Sequence, residues 1–197
     1  MLNKKIIIAT GNSNKVREFK EMLVPLGFEV LSLKDLDITL DVEETGKTFE
    51  ENSLIKAHYV SSLIKDVPVI ADDSGLEIHV LDNFPGIYSA RFMEGRPYSE
   101  KCLEIIKRLT NETDRSANFT SAISLVNYKN EEKVFIGKTY GVIDKQIEGE
   151  NGFGYDPIFI SDDLHKSFGL CTSEEKNSVS HRGRALKQLL EYLSSNL

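Results

Sequence analysis

Adjacent carboxylates follow an apolar stretch in the first half of the sequence. Asp72 and Asp73 come directly after the apolar residues 69–71 and precede Ser74 and Gly75. Two neighbouring carboxylates where a buried strand meets a turn cost free energy unless a positive charge neutralises them. Mg²⁺ is a suitable partner, because it binds one or two protein carboxylates together with water and substrate phosphates. The alternative is an Asx turn, in which Asp73 accepts hydrogen bonds from local amides.

A second acidic segment, residues 41–44, lies at the start of a predicted helix. Within that helix Thr48, Asn52 and Lys56 are spaced four residues apart, so they share one face. A polar stripe that ends in a cation suits an anionic ligand. The alternative is that this charged segment is simply a solvated face.

A strand-to-helix turn near the start of the sequence is a candidate phosphate site. Amides at a helix N-terminus favour an anion, and a lysine in the turn adds a full positive charge. Neither Gly-x-x-x-x-Gly-Lys-Ser/Thr nor Gly-x-Gly-x-x-Gly occurs here. A plain turn with a capping asparagine and a solvated lysine is the alternative. The residues of the turn are Thr10, Gly11, Asn12, Ser13, Asn14 and Lys15.

Aromatic and basic residues mark the second half of the sequence. In residues 152–157, Gly-Phe-Gly-Tyr-Asp-Pro, glycines separate two aromatic rings, so the backbone can approach a flat ligand. A base stacked on an aromatic ring gains about 1–3 kcal/mol. The alternative for these residues is an aromatic hairpin corner.

A basic segment follows near the end of the sequence. Residues 176–187 contain four Lys and Arg and no acidic residue, although the whole sequence is acidic. These cations suit a phosphate or a base carbonyl.

Hydrophobic periodicity predicts the elements that position these residues. An uninterrupted apolar run predicts a strand buried on both faces, and alternation predicts a half-exposed one. Parallel βα units come first and antiparallel pairs later, which predicts an α/β fold with a mixed sheet. The predicted strands cover residues 6–9, 28–31, 69–71, 76–80, 117–126, 133–139 and 141–147, the last two separated at Gly141. The predicted helices cover residues 16–23, 45–64, 99–109 and 181–193, with Ser99 and Ser180 as N-caps.

Length and charge exclude several classes of function. A chain of 197 residues predicts one domain, and we assign it residues 1–197. The acidic residues outnumber the basic ones by 7 (31 − 24), so the surface repels nucleic acid polymers.

The two cysteines are too few for a disulfide framework or a zinc site and fit a reducing compartment. No stretch approaches the ~20 apolar residues of a membrane helix, and residues 6–9 are too short for a signal peptide. We therefore expect a cytoplasmic protein without a membrane partner.

Taken together, these motifs make the sequence similar to one enzyme family over nearly its whole length and in the same order. It resembles the inosine/xanthosine triphosphate pyrophosphatase family, whose members hydrolyse nonstandard purine nucleoside triphosphates. The resemblance rests on the segments 9–15, 44–57, 71–76, 85–91, 152–157 and 176–182.

The resemblance implies a fold and an activity. The fold is a long, mixed, twisted sheet flanked by helices, with two lobes and the active-site cleft between them. The reaction converts ITP, dITP or XTP to the monophosphate and pyrophosphate, with Mg²⁺ as the cofactor. The partners are small-molecule purine nucleotides, and the protein is expected to be a homodimer.

The resemblance also implies a role for each matching residue. Glu44 and Asp73 would bind Mg²⁺, and Asp73 would accept the proton of the attacking water. Residues 10–15 would hold the triphosphate with Lys56, and Ser74 would contact the substrate. The expected base-binding residues are Phe153, Gly154, Tyr155, Asp156, Lys176, His181 and Arg182.

Two other functions are compatible with these residues. One is a pyrophosphatase of the Maf-like type that prefers other or modified nucleotides, and residues 152–156 and 181–182 argue against it. The other is a nucleotide-binding regulator without catalysis. Intact Glu44 and Asp73 argue against the regulator, since binding alone needs no carboxylate that activates water.

Overall fold

The chain divides into two compact units in the computed structural model, which describes residues 4–195. One unit contains residues 4–73, Ser121–Gly137 and residues 185–195. The other contains Ser74–Thr120 and Lys138–Arg184. We call them the first and the second unit. The predicted domain 1–197 also includes residues 1–3 and 196–197, which lie outside the described residues.

The main feature of the fold is a mixed sheet. Its strands are β1 Lys5–Ile8, β2 Glu29–Ser32, β3 Val69–Ile78, β4 Phe84–Pro85, β5 Ser116–Tyr128, β6 Glu131–Ile143 and β7 Phe159–Ser161. Their order in the sheet is β2-β1-β3-β5-β6-β7, and β4 pairs with β3. Strand β1 is parallel to β2 and β3, whereas β3–β4 and β6–β7 are antiparallel. The prediction of an α/β fold with a mixed sheet is therefore confirmed.

Five α-helices accompany these strands in the described part of the chain. Apolar residues of the four longer helices lie in the same buried clusters as strand residues, as expected of helices in an α/β fold. The helices are α1 Ser13–Leu23, α2 Phe49–Leu63, α3 Tyr98–Arg108, α4 Ser173–Val179 and α5 His181–Ser195.

The first unit has apolar clusters formed by alternate residues of β1. Ile6 and Ile8 pack with Phe19 of α1 and Leu189 of α5. Ile7 belongs to another cluster, which includes Val60 of α2. Successive side chains of a strand point to opposite faces, so an uninterrupted apolar run supplies both clusters. This packing holds α1 and α2, which carry candidate site residues, on the strands.

The second unit has its own core, in which aromatic rings from several segments meet. Phe159 and Phe168 are fully buried, and Phe119 lies 4.7 Å from Phe159 between ring centroids. Ile105 of α3 and Ile78 of β3 belong to the same cluster. This core supports the segments that bear the aromatic and basic candidate residues.

Two predicted strand ends are wrong. The strand predicted over residues 69–71 does not stop at residue 71, because β3 runs through Asp72 and Asp73 to Ile78. Asp72 and Asp73 are paired with lysines that neutralise their charge, so they need not leave the strand. Likewise β6 continues through Gly141, which pairs with Ser161. A Cβ at residue 141 would lie 2.1 Å from the carbonyl oxygen of Ile160, so close packing explains this glycine.

Helix boundaries also differ from the predicted ones. The helix predicted from residue 45 begins at Phe49, with the hydroxyl of Thr48 accepting a hydrogen bond from the Glu51 amide. Pro97, instead of Ser99, precedes α3. The Ser180 cap is confirmed, since its hydroxyl accepts a hydrogen bond from the Gly183 amide at 3.1 Å. No helix within residues 4–195 is long and apolar enough to cross a membrane.

Candidate active site

A lysine between two carboxylates forms the centre of the candidate site in the first unit. The Nζ atom of Lys56, on α2, lies 2.6 Å from Oε1 of Glu44 and 2.9 Å from Oδ1 of Asp73. We call these three residues the acidic centre. Lys56 and Asp73 are buried, whereas Glu44 is partly exposed. The α2 helix and β3 thus bring together a loop carboxylate, a cation and a strand carboxylate that are distant in sequence.

Burial and charge act in opposite directions on the two buried groups of the acidic centre. Burial opposes the charge of Lys56, but the carboxylates of Asp73 and Glu44 outweigh it and raise the lysine pKa. For Asp73, burial dominates over the attraction of Lys56 and Lys15, so the pKa of this carboxyl is raised. A carboxylate with a raised pKa is a stronger base than an ordinary surface aspartate.

One oxygen of Asp73 is available for chemistry. Oδ1 accepts a hydrogen bond from Lys56, whereas Oδ2 is buried and has no hydrogen-bond partner among the described residues. A buried carboxylate oxygen without a partner is costly, so it is commonly found where a water or an ion binds. Oxygen ligands from Asp73 and Glu44 fit a hard cation such as Mg²⁺.

The acidic centre offers two carboxylates to a metal ion. Within residues 4–195 no cluster of three or more His, Cys, Asp and Glu side chains is arranged for a metal ion. Mg²⁺ usually needs only one or two carboxylates, because water and substrate phosphates complete its coordination. The two carboxylates of the acidic centre therefore fit a metal that binds together with a phosphorylated substrate.

The neighbouring Asp72 has different partners. Its Oδ2 lies 2.9 Å from Nζ of Lys15, and its Oδ1 accepts a hydrogen bond from the Ser121 hydroxyl at 2.5 Å. Asp72 is fully buried, so this pairing offsets the cost of its charge. Both carboxylate oxygens are engaged, which indicates that Asp72 anchors Lys15 and leaves the open oxygen to Asp73.

The candidate phosphate turn begins α1 and is stabilised by its own side chains. Asn12 caps the helix, because its Oδ1 accepts hydrogen bonds from the amides of Asn14 and Lys15 at 2.9 and 3.3 Å. The Thr10 hydroxyl accepts from the Asn12 amide at 3.2 Å. Gly11 has open space around the position of a Cβ. This exposed and preorganised turn leaves room for a ligand next to Gly11.

The second unit brings its predicted residues into a buried cluster of rings and charges. Nζ of Lys176 lies 2.7 Å from Oδ2 of Asp156 and 4.6 Å from the centre of the Phe153 ring. Arg182 donates from Nη2 to the Ser74 hydroxyl at 3.0 Å, and its guanidinium carbon lies 5.9 Å from the same ring. We call these five residues the ring–cation cluster. Its two cations are at most 4% exposed, so charge is concentrated beside an aromatic face.

Glycines shape the loop that carries Phe153. Gly152 and Gly154 have φ angles of +72° and +69°, in the left-handed region that glycine adopts without strain. A Cβ at residue 152 would lie 2.1 Å from Oδ2 of Asp156, and that oxygen also accepts a hydrogen bond from the Phe153 amide at 2.7 Å. The Asp156 carboxylate therefore fixes both the loop and the Lys176 ammonium.

The remaining predicted residues of the second unit pack around this loop. Tyr155 is buried and donates its hydroxyl to the carbonyl oxygen of Ser89 at 2.8 Å. The His181 ring stacks on Phe119, with the centroids 4.9 Å apart and the planes 16° apart. Tyr155 is thus an anchor in this structure, and the site roles predicted for it and for His181 stay predictions.

Several residues that the sequence analysis did not assign to the site support it. Ser121 holds Asp72, Ser89 anchors Tyr155, and Phe119 stacks on His181. Ser89 lies in the segment 85–91, one of the similar segments for which no role was predicted. Ser121 and Phe119 carry no signal of this kind, because strand pairing and packing alone bring them to their partners.

Neither cysteine is suited to act as a nucleophile. Cys102 and Cys171 are both buried. Burial, assisted by the nearby Asp156 carboxylate, raises the pKa of the Cys102 thiol to about 12. A thiol with this pKa stays protonated at neutral pH and is unreactive.

Comparison with known proteins identifies the family. The model of the Ham1 family matches residues 6–192. The chain belongs to the Ham1 family. It is 44% identical to the dITP/XTP pyrophosphatase of Clostridium perfringens, covering 98% of this chain and 99% of that protein. It is also 44% identical to the dITP/XTP pyrophosphatase of Bacillus subtilis, covering 99% of this chain and 100% of that protein.

Solved Ham1-family structures share the fold. The Staphylococcus aureus Ham1 protein matches with a TM-score of 0.87 and 39% identity over 98% of this chain and all of that one. A HAM1 protein from Coxiella burnetii matches with a TM-score of 0.86 and 36% identity over 99% of this chain and all of that one. The expected family resemblance is thereby confirmed.

Proposed function

We propose that this Ham1-family chain hydrolyses nonstandard purine nucleoside triphosphates, namely ITP, dITP and XTP, to the monophosphate and pyrophosphate. The observation that carries the proposal is the buried Asp73 carboxylate, which has one oxygen bound to Lys56 and one without a partner. The relatives named dITP/XTP pyrophosphatase, similar over almost their whole length, support the choice of substrate.

In the proposed reaction, Asp73 accepts a proton from water while the water oxygen attacks the α-phosphorus. The bond between this phosphorus and the oxygen bridging to the β-phosphate breaks, and pyrophosphate leaves. Lys56 holds Asp73 in place and neutralises charge that develops on the phosphates. Mg²⁺, bound with Glu44 and Asp73, would neutralise phosphate charge and lower the pKa of a bound water.

We assign the phosphate-binding part of the reaction to residues 10–15 together with Lys56. The open space at Gly11 and the helix N-terminus that begins at Ser13 favour an anion. Lys15 is held by Asp72, and it contributes positive charge to this turn.

The ring–cation cluster is assigned to the base. Phe153 would stack on the purine, and Lys176 and Arg182 would donate hydrogen bonds to its 6-oxo group. His181 would complete the same site. Adenine carries an amino donor at that position, so it would leave buried donors unpaired. Asp73 of the acidic centre and Ser74 of the ring–cation cluster are consecutive residues of β3.

We further propose that both units act as one functional domain and that the protein forms a homodimer in the cytoplasm. The family resemblance supports the dimer. The two buried, free cysteines suit a reducing compartment.

The proposal is tested by measuring pyrophosphate release from ITP, XTP, GTP and ATP in parallel, with Mg²⁺ and after its removal with EDTA. We expect rapid release from ITP and XTP, little from GTP and ATP, and none without a divalent metal. The Asp73→Asn variant is the control for contaminating activity. Activity on none of the four nucleotides would contradict the proposed function and favour a nucleotide-binding regulator.

A further inference from the structure

Asn52, in the first half of α2, is buried without any contact to solvent. Its Oδ1 accepts a hydrogen bond from the amide of Gly46 at 2.8 Å. Its Nδ2 is buried and has no hydrogen-bond partner within residues 4–195. A buried amide that satisfies only part of its hydrogen-bonding capacity is costly, so the structure must offer an offsetting benefit.

The benefit is the position of the loop before α2. A Cβ at Gly46 would lie 2.6 Å from Oδ1 of Asn52 and 2.7 Å from Cβ of Glu51. The backbone at Gly46 is therefore pressed against the first turn of the helix, and only glycine fits. One residue further on, the Lys47 amide donates to Oε2 of Glu51 at 2.6 Å. Asn52 and Glu51 thus tether consecutive amides of the same loop.

This tethered loop carries Glu44, two residues before Gly46. The same helix presents Lys56, one turn after Asn52, whose ammonium contacts both Glu44 and Asp73. One rigid helix therefore fixes the loop through Asn52 and provides the cation between the two carboxylates. Moving the loop at Gly46 would move Glu44 relative to Asp73.

We propose that Asn52 is a positioning residue that, through Gly46, holds the Glu44 carboxylate beside Asp73 for divalent-metal binding. The inference rests on the proposed function, because it takes Glu44 and Asp73 as the metal-binding carboxylates. Residues that orient a metal ligand commonly contribute about 10- to 100-fold to metal affinity. The exposed Glu51, which tethers the next amide of the same loop, offers a matched control.

The test uses Mn²⁺ alone as the probe, with its affinity for the full-length protein measured by electron paramagnetic resonance. Asn52→Leu removes the acceptor while keeping the number and branching of the side-chain heavy atoms, and Glu51→Ala removes the neighbouring tether. We expect Asn52→Leu to weaken Mn²⁺ binding about tenfold or more, and Glu51→Ala to change it less than about threefold. Wild-type affinity in a folded Asn52→Leu protein would overturn the proposal.

A second variant keeps the test decisive if Asn52→Leu does not fold. Gly46→Ala places a methyl group against Asn52 and should displace the loop, with a similar loss of Mn²⁺ affinity. Unchanged affinity in a folded Gly46→Ala protein would overturn the proposal in the same way. Glu44→Gln separates the two hypotheses. If it leaves Mn²⁺ binding unchanged, the metal role of Glu44 is wrong and the positioning role falls with it. If it weakens binding while Asn52→Leu does not, only the positioning role is wrong.

Discussion

The acidic centre and the ring–cation cluster both contain a buried lysine paired with a carboxylate, but they differ in how their oxygens are used. In the acidic centre, Lys56 has two carboxylate partners and Asp73 keeps one oxygen without a partner. In the ring–cation cluster, a single oxygen of Asp156 accepts from both Lys176 and the Phe153 amide.

This difference indicates a catalytic role for the acidic centre and a structural role for the carboxylate of the ring–cation cluster. A carboxylate with an unoccupied buried oxygen is ready to take a proton or a metal, and it carries an energetic cost until it does. A carboxylate that accepts a hydrogen bond from a loop amide and neutralises a cation has a structural role, because it fixes the neighbouring groups that would contact a ligand. We therefore expect substitutions in the acidic centre to affect turnover and those in the ring–cation cluster to affect stability and selectivity.

The largest effect is expected for Asp73→Asn. It should lower kcat for ITP by about a thousandfold or more, because the variant cannot accept the water proton. Folding should be preserved, since Lys56 keeps Glu44 as a carboxylate partner. Steady-state kinetics and thermal unfolding check both parts. Turnover close to the wild-type rate would exclude Asp73 as the base and remove the contrast between the two regions.

The next largest effect is expected for Asp156→Asn, measured as stability. Removing one partner of a buried ion pair leaves the Lys176 charge uncompensated, so the free energy of unfolding should fall by about 3 kcal/mol. Urea denaturation measures this change. The double variant Asp156→Asn/Lys176→Met should recover part of the loss. If Asp156→Asn is as stable as the wild type, the carboxylate is not the structural anchor of the loop.

Arg182→Ala should change selectivity by about tenfold. The ratio of kcat/KM for ITP to kcat/KM for ATP should fall toward one, because a donor that favours a 6-oxo group is lost. Loss of stability does not by itself alter this ratio, so it distinguishes recognition from structure. Arg182→Lys, which retains a cation, serves as the control and should retain more of the preference. An unaltered ratio in Arg182→Ala would place base recognition elsewhere.

The smallest effect is expected for Tyr155→Phe. The variant keeps the ring and loses one buried hydrogen bond to the Ser89 carbonyl, so stability should fall by about 1 kcal/mol. KM for ITP should rise modestly while kcat is maintained. A large loss of kcat would show that Tyr155 takes part in the chemistry, contrary to the anchoring role in this structure.

Local sequence signals predicted much of the fold. The apolar run of β1, the apolar stripe of α5 and the Ser180 cap are readable because they depend on residues close in sequence. The ends of β3 and the continuation of β6 through Gly141 could not be predicted from such local signals. They depend on partners distant in sequence, namely the cations beside Asp72 and Asp73 and the approach of Ile160 to Gly141.

The sequence by itself determined the family and the mixed α/β fold and predicted the residues of the candidate site, because these are carried by ordered motifs and hydrophobic periodicity. Only the tertiary structure decided how the carboxylates are used. It assigned Asp72 to Lys15 and Ser121, gave Asp73 an oxygen without a partner, and placed Asn52 against Gly46. Several of these pairings join residues that lie dozens of positions apart in the sequence, so only the packing of strands and helices specifies them.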